Sequence, residues 1–219
     1  MNTNIISLPN VNDILNLWMS NQKIEFFETT LRNTGRAGIE NVIQFCKSTD
    51  FYTAPSSASY HSNYQGGLLD HSILVYVLAM KYRDILVEMN PELEDKLSVE
   101  ELTISTLLHD ICKTCFYQKA LKWRKDANNQ WEQYETYEIN DQFPIGHGEK
   151  SVIMLQNFGL TLQPNEMLAI RYHMGAWDGA MWTNDLKYAY SNAISICPLI
   201  TLIQHADNVC SMLFERKVN

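Results

Sequence analysis

Apolar residues recur at helical spacing along most of the chain, which predicts a mostly α-helical protein. Val11 to Ser20, Lys23 to Arg32 and Gly38 to Lys47 read as three short helices. Asn12 or Ser20-Asn21 can cap them, and Gly35 breaks the second from the third. From Asp50 to Gln65 the period stops and aromatics, serines and Pro55 mix, which predicts an ordered loop. Gly66-Gly67 then opens a long helix to about Met89, ended by Asn90-Pro91. Ser98 and Glu101 fit a capping box, and the helix they start is expected to reach about Cys115.

Residues 117–125 (YQKALKWRK) and 131–139 (WEQYETYEI) are rich in Tyr, Trp and alternating charge. With turn chemistry at 126–130 between them, they predict a β-hairpin. Gly146 to Asn157, Pro164 to His173 and Ser191 to Arg216 return to helix, with Pro198 expected to kink or interrupt the last. The expected class is all-α with one hairpin inserted at about 117–139. The expected layout is a single domain over 1–219, with 1–50 as a helical lead-in and 51–216 as the core.

Composition narrows the function. With 219 residues, 46% hydrophobic and 19% charged, the chain can bury a core of its own. Its 25 acidic against 17 basic residues give a net charge of −8, which argues against a broad nucleic-acid-binding surface. No long uncharged apolar run predicts a membrane span, and Met1-Asn2-Thr3-Asn4 does not read as a secretory signal. Five cysteines cannot all pair, so they are expected as reduced thiols in a cytoplasmic protein.

The six histidines change the picture: His61, His71, His109, His147, His173 and His205. His109 is followed by Asp110 inside the apolar run TISTLLHDICK, where an ionised Asp must be paired or bound to metal. His71 has Gly67, Leu68, Leu74 and Val75 as helical neighbours, so it faces the core. Asp207 lies in LITLIQHADNVCSM, another apolar helix. One buried histidine is ordinary core. Several ionisable groups on separate apolar helices point instead to a shared divalent cation.

His71, His109-Asp110 and Asp207, with His147 and His173 between, resemble the H…HD…H…H…D signature of the HD-domain metal-dependent phosphohydrolase superfamily. The likeness covers about residues 50–215, and the chain is similar to the branch containing bacterial 3′-5′ exoribonuclease HD domains. It implies an HD-domain helical bundle with a metal set of His71, His109, Asp110, His147, His173 and Asp207. In this pattern Asp110 bridges two ions. His71, His109 and Asp207 complete one site, and His147 and His173 the other. The ions are expected to be divalent transition metals (Mn, Fe, Co, Ni or Zn). The implied activity is hydrolysis of a phosphomonoester or phosphodiester of a nucleotide or nucleic-acid end, by attack of a metal-bridging hydroxide. A di-iron oxygenase and a catalytically silent nucleotide-binding protein are the alternatives.

Around this set, Lys113 is expected to contact phosphate and stabilise transition-state charge. His61, in PSSASYHSNYQGG, is either a substrate contact and leaving-group acid or a loop histidine bonded to backbone. Arg171 and Trp177 flank His173 as pocket candidates, Arg171 for substrate binding, and the Trp177-Asp178-Gly179 loop also resembles this branch. His205, two residues from Asp207, is expected to be structural. Asp70 either orients a ligand histidine or serves the helix N-terminus. Cys112 and Cys115 are expected as packing. Lys119, Lys122, Arg124 and Lys125 either form a phosphate-binding flap, with Trp123 or Trp131 stacking on a base, or pair with Glu132, Glu135 and Glu138. Residues 1–50 are expected to cap the core or to form a homodimer surface.

Overall fold

Gly66, at φ +88°, turns the chain into its central helix, and Gly67 follows it with its Cα against the Ser62 carbonyl. A Cβ at Gly67 would collide with that carbonyl, so the loop before the helix can close only over glycine. In this computed structural model, which describes residues 8–178 and 183–216, the helix is α3 (Gly67–Met89). It is buried without a break from Gly67 to Val77, as expected of a helix apolar on all sides.

Around it stand α1 (Ser20–Arg32), α2 (Ile39–Ser48), α4 (Val99–Leu108), α5 (His147–Asn157), α6 (Pro164–Tyr172), α7 (Asn184–Ile196) and α8 (Pro198–Val209). A hairpin, β1 (Tyr117–Lys125) and β2 (Trp131–Ile139), is inserted between α4 and α5. The protein is therefore a helical bundle with one hairpin. Phe27, Ile43, Leu74, Leu107, Ile170 and Ile203 belong to one continuous core, so α1 and α2 share it with α3, α4, α6 and α8. Arg36, just before α2, pairs with Glu166 of α6 through two 2.9 Å hydrogen bonds and with Glu100 of α4 at 2.7 Å. Met1-Asn2-Thr3-Asn4, Gly179 and the last residues to Asn219 lie outside the described residues. Among the described residues no single helix is long and apolar enough to cross a membrane. The five cysteines are free, and only Cys115 is exposed.

Several boundaries differ from the sequence expectation. The first expected helix is only a π-helical turn, Asp13–Leu17, because Trp18 is extended and swings out to meet Phe26. The helix expected to reach Cys115 ends at Leu108. Asp110 leaves helical geometry at φ −103°, ψ 16°, and Ile111–Lys113 is a 3-10 turn. The freed amides find side chains instead: Ser151 Oγ accepts from Cys112 and Asp50 Oδ1 from Cys115. At the other end of α4, Ser98 does cap Glu101, but the Glu101 carboxylate accepts from Asn165 rather than completing a box. The last expected helix starts at Asn184 rather than Ser191. Pro198, which has no amide hydrogen to donate, splits it into two segments bent by 104°.

The hairpin register revises the proposed cross-strand pairs. Arg124 faces Glu132 and pairs with it at 2.7 Å. Lys119 faces Tyr137, Lys122 faces Tyr134, and Lys125 lies over the ring of Trp131. Glu135 faces Leu121, and Glu138 binds Gln118. Residues 117–139 hold four basic and four acidic side chains, so the basic strand is balanced within its own hairpin. Leu121, Trp123, Trp131 and Ile139 are exposed on one face of it, interspersed with Lys119, Lys125, Gln133 and Glu135.

Candidate metal centre

Four helix ends converge on one carboxylate. His71 comes from the second turn of α3, His109 and Asp110 from just past the end of α4, His147 from the first residue of α5, and His173 from the end of α6. Asp207, on the last turn of α8, completes the group. The α5–α6 approach depends on Gly148, where a Cβ would run into the Arg171 backbone. That close approach brings His147 and His173 to within 5.3 Å, centroid to centroid.

The geometry divides the set at Asp110. Oδ1 is 2.6 Å from His147 Nε2 and 3.5 Å from His173 Nε2. Oδ2 is 3.5 Å from His71 Nε2 and 3.4 Å from His109 Nε2. Asp207 Oδ1 stands 3.3 Å from His71 Nε2, and the Nε2 atoms of His71 and His109 are 3.2 Å apart. The two oxygens of one buried carboxylate therefore address two groups of histidines. The end of α4 at Leu108 makes this arrangement possible, since the backbone leaves helical geometry at Asp110.

Electrostatics holds the set in readiness. Burial works against an Asp110 charge, but Lys113, His109 and His147 prevail and hold the carboxyl well below its ordinary range. Asp207 is depressed likewise, mainly by His71 against the cost of burial. Burial lowers His147, and Asp110 does not fully offset it. For His173, Asp110 more than offsets burial and the group is raised.

Each histidine ring is steered from its Nδ1 side. His109 Nδ1 faces the Thr106 carbonyl and His173 Nδ1 the Ile170 carbonyl, both at 2.7 Å. His147 Nδ1 lies 3.2 Å from Cys112 Sγ, so Cys112 does more than fill space. Burial pushes that thiol up to about 12, which keeps it protonated at neutral pH. Cys115, by contrast, is exposed, with φ at +53°.

The residues fit a divalent metal. Imidazole and carboxylate donors converge in a buried cluster, and His173 Nε2 is buried without a hydrogen-bond partner. Overlapping triads of His71-His109-Asp207, His109-Asp110-His173 and Asp110-Cys112-His147 each bring ligand atoms within 4.8 Å of one another. Such donors suit Mn, Fe, Co, Ni or Zn better than Ca.

The flanking residues are distributed as follows. Lys113 Nζ is 2.7 Å from Asp110 Oδ2. His61 is half-buried, its ring centroid 5.1 Å from that of His71, and its Nε2 is enclosed without a partner. Burial and the charges of His71 and Lys113 lower it to about 4, so it is neutral at pH 7. Arg171 is held by Glu149 and Asp178 and stacks on Tyr172. Trp177 is exposed. His205 bonds the Thr201 carbonyl on the surface, away from the cluster. Asp70 pairs with Lys23 and Tyr64 and touches none of the ligand histidines, so it ties α1 to α3 instead of orienting a ring.

One residue of this neighbourhood escaped the sequence reading. Glu215 Oε1 is 2.8 Å from His71 Nδ1, with its side chain fully buried. On a straight α-helix, eight residues beyond Asp207 lies about 12 Å further along. The π-helical turn Cys210–Phe214 redirects the chain and brings Glu215 back over α3. An acid in an apolar tail was the only available signal.

A family model described as the HD domain matches residues 68–212. The chain belongs to the HD-domain family. A relative from Methanocaldococcus jannaschii, a dihydroneopterin 2',3'-cyclic phosphate phosphodiesterase, is 36% identical over 64 residues. That match covers 29% of this HD-domain chain and 24% of the relative. No solved structure matches.

Proposed function

We propose that this HD protein hydrolyses a phosphomonoester or phosphodiester of a nucleotide or nucleic-acid end, using two divalent ions. The observation that carries the reading is the split of Asp110, with one oxygen toward His147 and His173 and the other toward His71 and His109. His71, His109 and Asp207 would hold one ion, His147 and His173 the other, with Asp110 shared. When bound, the ions supply Lewis acidity and an activated water for in-line attack at phosphorus. Lys113 brings a fixed positive charge to the same carboxylate, where it would offset charge developing on a phosphoryl group. His61, neutral and with a buried free nitrogen, would accept a hydrogen bond from the substrate or relay a proton near the leaving group. Arg171 would steady the α5–α6 end through Glu149 and Asp178 and so bear on substrate binding indirectly.

A small substrate is favoured over a long polymer. The hairpin's charges balance, so the net charge of −8 resides in the helical body, which would repel an extended phosphate backbone. The test is metal analysis of purified protein, then a phosphatase and phosphodiesterase panel with Mn, Co, Ni and Mg. Asp110→Ala should lose metal and turnover together. Full activity in a folded Asp110→Ala protein would overturn the assignment.

A further inference from the structure

Two of the four candidate ligand histidines have a side chain rather than a backbone carbonyl at Nδ1, and the two side chains differ. His71 has the Glu215 carboxylate at 2.8 Å, and His147 has the Cys112 thiol at 3.2 Å. A ring that offers Nε2 to a metal must carry its hydrogen on Nδ1 and donate it to whatever lies there. A carboxylate accepts that hydrogen strongly, fixes the ring plane and makes Nε2 a better donor, whereas sulfur accepts weakly. Glu215 is itself held in place, because its other oxygen accepts from Ser62 Oγ at 2.9 Å in full burial. His61, His71 and Glu215 also bring ligand atoms within 4.8 Å of one another, but taking His71 through Nε2, toward His109 and Asp207, leaves its Nδ1 to Glu215.

We infer that Glu215 is a positioning residue for His71, which makes the His71–His109–Asp207 side the tighter metal site and leaves the thiol-backed His147–His173 side to fill last. This rests on the two-ion reading above. Asp207 adds to the asymmetry, because its Oδ1 accepts from Ser211 Oγ at 3.1 Å and is thereby also oriented. The protein would thus hold one ion at low metal concentration and complete its centre only as the supply rises.

The test is titration of metal-free full-length protein with Co(II), followed by visible absorption and calorimetry, for wild type and Glu215→Gln. Glutamine keeps the shape and can still accept the hydrogen, so it isolates the charge. Two steps are expected in wild type. Glu215→Gln should weaken the first by roughly 10- to 100-fold and leave the second nearly unchanged. A purely structural Glu215 would lower thermal stability but leave both steps intact, and that result overturns the inference. Equal weakening of both steps overturns it as well. Wild type that takes up no divalent metal would overturn the ligand assignment itself. Glu215→Asp, which restores charge at a shorter reach, should recover part of the first-step affinity.

Discussion

Lys113 reaches back across a single 3-10 turn to place its ammonium 2.7 Å from the Asp110 carboxylate, with both side chains buried. Three residues apart, the two would be neighbours on a continued α-helix as well, and the 3-10 turn keeps them on the same side.

Replacing Lys113 by Met should therefore act on two readouts. Removing one partner of a buried pair costs about 3–5 kcal/mol. Metal-free Lys113→Met should lose much of that in urea unfolding, and metal-loaded protein less, since the ions also neutralise Asp110. Turnover should fall by at least an order of magnitude, in keeping with loss of a charge that stabilises a transition state. Equal destabilisation with and without metal would contradict this account.

Gly148→Ala should separate α5 from α6, because the new methyl meets the Arg171 backbone. Overpacking of this kind costs about 1–3 kcal/mol. His147 and His173 ride on those two elements, so the second equivalent of metal should be lost before the first. Metal counts per chain after dialysis would check it; two retained ions would refute it.

The His71 imidazole gives a pH dependence with a definite sign. Burial disfavours its charge, but Glu215 and Asp207 more than reverse that, lifting it from 6.5 to about 10 in metal-free protein. A raised folded-state value means the stabilisation is fully present below about pH 6.5 and is lost as pH rises through about 10. Metal-free protein should thus melt progressively lower between pH 6.5 and 10. Metal uptake near pH 8 should release protons, because coordination requires the neutral ring. A flat melting profile with no proton release would be the contrary result.

Arg36→Ala tests how the first helices are attached. Glu166 is fully enclosed and takes two hydrogen bonds from Arg36. Leaving that carboxylate alone should cost about 3–5 kcal/mol. Adding Glu166→Gln should restore part of it, as a double-mutant cycle in chemical denaturation would measure. Metal affinity should stay close to wild type, since neither residue reaches the cluster.

Much of this arrangement was legible in the chain. Gly66-Gly67, the hairpin's strands and the break at Pro198 follow from backbone chemistry that acts locally. The histidines stood out because ionisable groups in apolar helices need a reason. Other features depend on contacts distant in sequence. Asp110 leaves its helix because Ser151 and Asp50 receive the amides beyond it. Glu215 reaches His71 only through a π-helical turn, and no helical period announces one. Cross-strand partners on the hairpin depend on register, which a charge count cannot supply. That count favoured Glu135 and Glu138 as partners for lysines that face tyrosines instead.

The hairpin also offers a practical handle. Its nine-residue strands carry the chain roughly 30 Å from their base. The tip is held locally, with Asp126 Oδ1 accepting from the amides of Asn128 and Gln130. A fluorophore or affinity tag grafted between Asn128 and Asn129 would thus sit at the far end of the two strands, well away from their base.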